Sequence, residues 1–201
     1  GRIRPQKLAT NEQEKSSPEK LALRNLPPLL IGEDHAYWVS FSGSGTADSI
    51  GGISRDDMVA FRDSWLRADN ASILVVGDTT LAEITAELEK AFGNWQAPAT
   101  ALPTKNLAEV AMPEGRRVII MDKPGSPQTL ILGGHVMPPA GDDRNLLIGA
   151  ANEVLGGSFT ARVNMNLRED KGWSYGARTI ALDASGQGVY LVYAPVQQDK
   201  T

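Results

Sequence analysis

The chain contains no cysteine among its 201 residues. That excludes disulfides, thiolate nucleophiles and cysteine-ligated zinc or iron–sulfur sites. It leaves the compartment open: the cytosol is compatible, and so is a periplasmic or other non-cytosolic space of a bacterial parent, where a stray thiol is a liability. Histidine is nearly as scarce, with only His35 and His135. A catalytic zinc takes about three protein ligands and an open position. Neither histidine begins an H-x-x-E-H or closes an H-x-x-E-x-x-H pattern, so no residue is assigned as a metal ligand and no cofactor is expected in this stretch. His135 lies in the apolar run Leu132-Gly133-Gly134-His135-Val136 and reads as a structural histidine. His35, beside Tyr37 and Trp38, reads as a packing or hydrogen-bonding residue. There is no basic surplus either: 20 Lys and Arg stand against 24 Asp and Glu, a net charge of −4, which argues against nucleic acid as a partner. No apolar run approaches the ~20 residues that a membrane-spanning helix needs. The start, Gly1-Arg2-Ile3-Arg4-Pro5, has neither a Met nor a signal-type pattern and reads as a fragment or processed product.

What is present is ordinary for a folded domain: 41% hydrophobic and 22% charged residues. Ser16-Ser17-Pro18-Glu19 marks a helix start, with Ser16 as cap, and Pro27-Pro28 should kink or end that helix. Gly43-Ser44-Gly45-Thr46 is a loop. Ser54 caps a helix bearing Met58, Phe61, Trp65 and Leu66, with Asp57 three residues on. Ala71–Val76 reads as a buried strand, and Thr79 or Thr80 caps the helix that follows and ends at Gly93. From Gln96 to Gly115 the periodicity vanishes among Pro98, Pro103 and Pro113, the best linker in the chain. Beyond it, Arg117–Met121 and Gln128–Gly133 read as strands. Asp142–Leu155 and Phe159–Asp170 read as helices, and Ala177–Asp183 and Gly188–Ala194 as strands. The expected fold class is α+β, helices packed on a largely antiparallel sheet.

One motif invites the wrong chemistry. Gly172-Trp173-Ser174-Tyr175-Gly176 matches the G-x-S-x-G nucleophile elbow letter for letter. The elbow needs a strand before the serine and a helix after it. Here the order is reversed, and no histidine follows His135, so a serine hydrolase using Ser174 is only a remote alternative. Gly43-Ser44-Gly45 lacks the strand and the lysine of a phosphate-binding loop and reads as a turn.

A second set of residues is more specific. Leu155-Gly156-Gly157-Ser158-Phe159-Thr160-Ala161-Arg162 runs into Asn166-Leu167-Arg168-Glu169-Asp170-Lys171-Gly172-Trp173-Ser174-Tyr175. Upstream stand Glu33-Asp34-His35-Ala36-Tyr37, Gly45-Thr46, Ile53-Ser54-Arg55-Asp56-Asp57, Asp69-Asn70-Ala71 with Val75-Val76-Gly77-Asp78, and Glu89 through Trp95. In this order and spacing, the pattern resembles the pitrilysin/insulinase zinc metallopeptidases, relatives of the mitochondrial processing peptidases, over about residues 14 to 195. The resemblance implies paired α/β domains of similar fold. Residues 1–98 would be the end of one such domain, 99–115 a linker, and 116–201 the start of the next.

The resemblance also implies a division of labour. In the family an H-x-x-E-H helix and a more distal glutamate hold zinc, and the metal lowers the pKa of its bound water. That helix is absent here. The distal glutamate's slot falls near Ala9 or Thr10, neither of which binds zinc; an alternative alignment puts Glu12 there. Zinc would therefore belong to the parent enzyme, on an H-x-x-E-H domain in the same chain or a partner subunit. Arg168 and Tyr175 keep the family's spacing for a pair that contacts the peptide substrate or the developing oxyanion from the non-metal side. The resemblance thus implies a non-metal-binding portion of a zinc metalloendopeptidase, closing the chamber around peptide substrate and inactive alone. A catalytically inactive structural subunit of the same fold is the alternative.

Overall fold

A computed structural model describes residues 2–112 and 114–201. The chain forms two compact units. One runs to Ile50 and resumes over Asn106–Thr201; the other is Gly51–Lys105.

The first unit is built on a three-stranded antiparallel sheet. Its strands are β1 (Gln128–Pro139), β2 (Arg178–Leu182) and β3 (Gln187–Gln197), in the order β1-β3-β2. Gln128 pairs with Gln197 and Val136 with Val189 across β1 and β3; Arg178 pairs with Tyr193 and Leu182 with Val189 across β2 and β3. His135 falls inside β1, where its Nδ1 donates to the Val136 carbonyl (2.8 Å) and its ring stacks on Tyr190 (5.3 Å). Its polar edge is satisfied, as expected of a structural histidine.

Helices cover the sheet. α1 (Ile3–Ser16) was not signalled by the sequence, since its polar residues give no strong apolar stripe. α2 (Pro18–Ile31) is capped by Ser17, not Ser16: the Ser17 hydroxyl accepts from the Lys20 amide. Of the two outcomes expected at Pro27-Pro28, the helix end is corrected, because α2 continues to Ile31. Each proline removes one helix hydrogen bond, but packing offsets the loss. Pro27 is fully buried, and Leu26 and Leu30 lie over Gly134 of β1, within 3.4 Å of where its Cβ would stand. α6 (Arg144–Asn152) opens into wide π-type turns over Glu153–Gly157 and packs on β2. The core gathers Met137, Ala161, Ala177, Val189, Leu191, Ala194 and Val196. This is the α+β arrangement the sequence implied.

Residues of the irregular stretch are pinned to this unit. The Ala36 amide donates to the Asn106 carbonyl (2.9 Å), and Gln187 exchanges two hydrogen bonds with the backbone of Val110. His35 is buried beside them. Its Nδ1 accepts from the Tyr37 amide (3.0 Å), the hydrogen-bonding role the sequence suggested.

A buried ion pair joins α1, α2 and the glycine loop. Arg24 donates to Glu14 (2.9 Å) and to the carbonyl of Gly45, while Ser42 and Ser44 also donate to Glu14. Burial alone raises a carboxyl's pKa; here the bonds from Ser44, Ser42 and Arg24, with the Arg24 charge, outweigh it and hold Glu14 below its ordinary range. Gly43 and Gly45 carry positive φ (61° and 70°), which lets the loop turn back onto this pair.

The second unit holds α3's last residues (α3 is Ala47–Gly52), α4 (Arg55–Trp65) and α5 (Leu81–Phe92). Both capping boxes are formed. Ser54 and Asp57 close one, and Thr80 and Glu83 the other. Two expected strands are not formed: Ala71–Val76 here and Arg117–Met121 in the first unit have no regular secondary structure and pair with no strand among the described residues. Strand propensity creates no ladder without a neighbouring edge. Among the described residues no helix is long and apolar enough to cross a membrane.

Candidate substrate-contact site

The expected helix over Phe159–Asp170 is shorter than its periodicity suggests. Ser158–Ala161 forms a turn. α7 then opens at Arg162–Asn164 and continues with wide π-type geometry through Met165–Asp170. The wide turns free the Leu167 carbonyl, which accepts from the amides of both Trp173 (2.9 Å) and Ser174 (3.3 Å). Gly172, at φ 63°, makes the reversal between them possible. The Gln197 amide donates to the Trp173 carbonyl (3.0 Å), tying this turn to the end of β3. One continuous hydrogen-bonded segment therefore carries both Arg168 and Tyr175.

Asn164 fixes that segment at both ends. Its Nδ2 donates to the Phe159 carbonyl (2.7 Å) and its Oδ1 accepts from the Ala177 amide (3.1 Å). Asn152 acts similarly beneath it, accepting from the Thr179 hydroxyl (2.7 Å). Both asparagines are buried, and neither was singled out from the sequence. The available signal was a polar amide within an apolar helical pattern, where burial requires hydrogen-bond partners. Gly156 has a packing reason. A Cβ there would lie 2.6 Å from the Thr179 amide nitrogen, so only glycine lets this turn approach β2.

Arg168 is held lightly. Its guanidinium stacks on Phe159 (4.7 Å to the ring centre) and its Nε lies 3.4 Å from Glu169, both side chains being partly exposed. Its ionic partner is Glu169. An exposed pair of this kind contributes roughly 0–1 kcal/mol, and an exposed cation–π contact about 0.5–1 kcal/mol. Tyr175 is 88% exposed, and its hydroxyl has no hydrogen-bond partner among the described residues. Both are donors with little internal use. An open depression of about 470 Å³ is lined by Leu155, Arg162, Val163, Asn166 and Leu167; neither Arg168 nor Tyr175 lines it.

Ser174 is placed differently. It is buried, and its Oγ accepts from the Gly176 amide (3.1 Å), closing a local turn between α7 and β2. The hydroxyl is committed to backbone structure in a helix-to-strand connection, the reverse of the elbow's strand-to-helix order.

The donors needed for zinc are not assembled. Among the described residues, no three His, Asp or Glu side chains lie together as a metal site requires. Glu12 is exposed and paired with Lys15 (2.7 Å), while Thr10 bonds the Gln6 carbonyl in the same helix. His35 and His135 spend their Nδ1 atoms on the backbone.

Comparison with known proteins agrees with the motif. The sequence profile described as "Peptidase M16 inactive domain" matches residues 52–201. A zinc protease of Bacillus subtilis, YmxG, itself uncharacterized, is 24% identical over 149 residues, covering 74% of this chain and 35% of that protein. A peptidase M16 inactive domain from Pseudomonas fluorescens superposes with a TM-score of 0.77 at 24% identity, covering 98% of this chain and 46% of that one. A protease from Helicobacter pylori superposes at 0.87 with 19% identity, covering 96% and 46%. A chain of Complex III2 from Candida albicans superposes at 0.73 with 14% identity, covering 97% and 46%. The chain thus spans less than half the length of each of these.

Proposed function

Because the chain belongs to the peptidase M16 inactive-domain family, we propose that it is the non-metal-binding portion of a zinc metalloendopeptidase and contacts the peptide substrate through Arg168 and Tyr175. The observation that carries this reading is the shared segment: Arg168 and Tyr175 stand on one hydrogen-bonded turn anchored by Leu167 and Asn164, both exposed and both weakly engaged. The division proposed is residues 1–98 as the end of one peptidase-type domain and 116–201 as the start of the next, with 99–115 between. The partner is an H-x-x-E-H domain, in the same chain or another subunit, and the chamber closes between them.

The chemistry follows from the two side chains. A guanidinium is a fixed cation with a fork of donors, and a phenol is a neutral donor. Aimed at a peptide carbonyl, they stabilise the negative charge that develops when the carbonyl carbon becomes tetrahedral. Zinc would supply an activated water when bound elsewhere in the parent; the residues here do not fit it, and no step is assigned to it on this chain. The test is peptide hydrolysis by the assembled parent enzyme carrying Tyr175→Phe. A loss of turnover with unchanged folding supports the reading, and unchanged turnover refutes it.

The likeness to a Complex III2 chain favours a second reading, a structural subunit of the same fold. The sequence of the parent's paired domain separates the two. An H-x-x-E-H helix there means a peptidase; its absence means a scaffold.

A further inference from the structure

Phe159 and Arg168 are brought together by the turn that separates them. The Ala161 amide donates to the Ser158 carbonyl (3.2 Å), and the Phe159 carbonyl accepts from the buried Asn164 side chain (2.7 Å). At the other end, the Arg168 carbonyl accepts from the Gly172 amide (3.1 Å). The backbone is therefore tied down beneath both side chains. The guanidinium carbon of Arg168 lies 4.7 Å from the centre of the Phe159 ring. That ring is 59% exposed, so burying it in the core is not its use. Trp173 makes the contrast. It also carries a cation, with Lys171 Nζ 4.3 Å from its ring centre, but it is half-buried and contributes apolar contact with or without that cation.

Two groups hold the Arg168 guanidinium, and they differ in what they take from it. The Glu169 carboxylate, 3.4 Å from Nε, occupies a donor and offsets the charge. The face of a phenyl ring attracts the cation through its quadrupole and uses none of its N–H groups. An arginine that must donate to a developing oxyanion needs the second kind of support. Its side chain is long and rich in rotamers, and ordering it at the moment of reaction costs conformational entropy. A ring that orders it beforehand leaves charge and donors available. Without the ring, Glu169 is the remaining side-chain partner, and it draws the charge toward itself.

We propose that Phe159 is a positioning residue for Arg168. Its ring holds the guanidinium in place, with its N–H groups unspent, for a peptide carbonyl that gains negative charge. The inference rests on the substrate reading of Arg168 given above. Phe159 touches no reacting atom and acts through Arg168.

The proposal is tested by kcat and KM for peptide hydrolysis by the assembled parent enzyme. Phe159→Leu keeps an apolar side chain and removes the ring; kcat should fall about 3- to 30-fold, with KM within about twofold. Phe159→Tyr keeps an aromatic face and should stay within about twofold of the unaltered enzyme. Phe159→pentafluorophenylalanine keeps the shape of the ring and reverses the charge on its face, so it should fold normally and lose kcat as Phe159→Leu does. In an Arg168→Ala background, Phe159→Leu should change kcat less than about twofold further, because the two residues act as a unit. A ring that only shapes the turn would lower kcat by the same factor in both backgrounds, and that result overturns the proposal. So does a change confined to KM, or full kcat with pentafluorophenylalanine. Arg168→Ala at unaltered turnover refutes the substrate reading and this inference with it. A large loss with Arg168→Ala beside full kcat in every Phe159 variant overturns this inference alone.

Discussion

The side-chain oxygen of Asn164 accepts a hydrogen bond from the Ala177 amide at 3.1 Å, while its nitrogen donates to the Phe159 carbonyl at 2.7 Å. One buried amide thereby spans the turn on which Arg168 and Tyr175 stand. Replacing it with leucine orphans the buried Ala177 N–H and the part-buried Phe159 C=O. A buried orphan costs about 1–3 kcal/mol and a solvated one less, so Asn164→Leu should destabilise the parent protein by roughly 2–4 kcal/mol in urea unfolding. Proteolysis between Phe159 and Ala177 should accelerate in the same variant.

Gly156 should tolerate no side chain. A methyl group there meets the Thr179 amide nitrogen at 2.6 Å, and backbone does not give way as a flexible side-chain tip does. Gly156→Ala should cost about 1–3 kcal/mol through overpacking. Gly149→Ala is the control, because nothing lies within 4 Å of a Cβ there; it should be neutral or slightly stabilising in the same assay.

The Glu14–Arg24 pair should make stability depend on acid pH. The folded-state pKa of Glu14 lies below its ordinary value of 4.5. Its contribution is therefore complete above that value and is lost as pH falls from there through the folded-state pKa. Comparing unfolding between pH 5 and pH 3, Glu14→Gln should show a shallower loss of stability than the parent sequence. A parallel loss in both would contradict the assignment.

Zinc should partition with the proposed H-x-x-E-H domain. Elemental analysis of the purified 201-residue chain should find less than about 0.1 zinc per chain, because a catalytic site takes about three protein ligands and none of the described residues are grouped that way. Stoichiometric zinc would revive Glu12 and the histidines.

The sequence was legible where local chemistry decides structure. The cap at Ser54, with Asp57 three residues on, and the cap at Thr79 or Thr80 formed, the latter at Thr80, and the strands read over Ala177–Asp183 and Gly188–Ala194 pair as β2 and β3. It was less legible where tertiary contacts decide. Pro27 and Pro28 lie within a helix because β1 receives Leu26 and Leu30. Residues 71–76 have strand composition but pair with no strand among the described residues. At the site, the Arg168–Tyr175 spacing was readable, but the anchoring by Asn152 and Asn164 was not. Its cause is a three-dimensional match between side-chain amides and partners up to 27 positions away.

The most direct measurement is kcat/KM for peptide hydrolysis by the assembled parent enzyme with Arg168→Ala, at zinc content equal to the unaltered enzyme. Loss of one donor to a developing oxyanion typically lowers turnover about 10²–10³-fold. A fall of that size in kcat is expected, with folding and metal content unchanged. Turnover equal to that of the unaltered enzyme would contradict it.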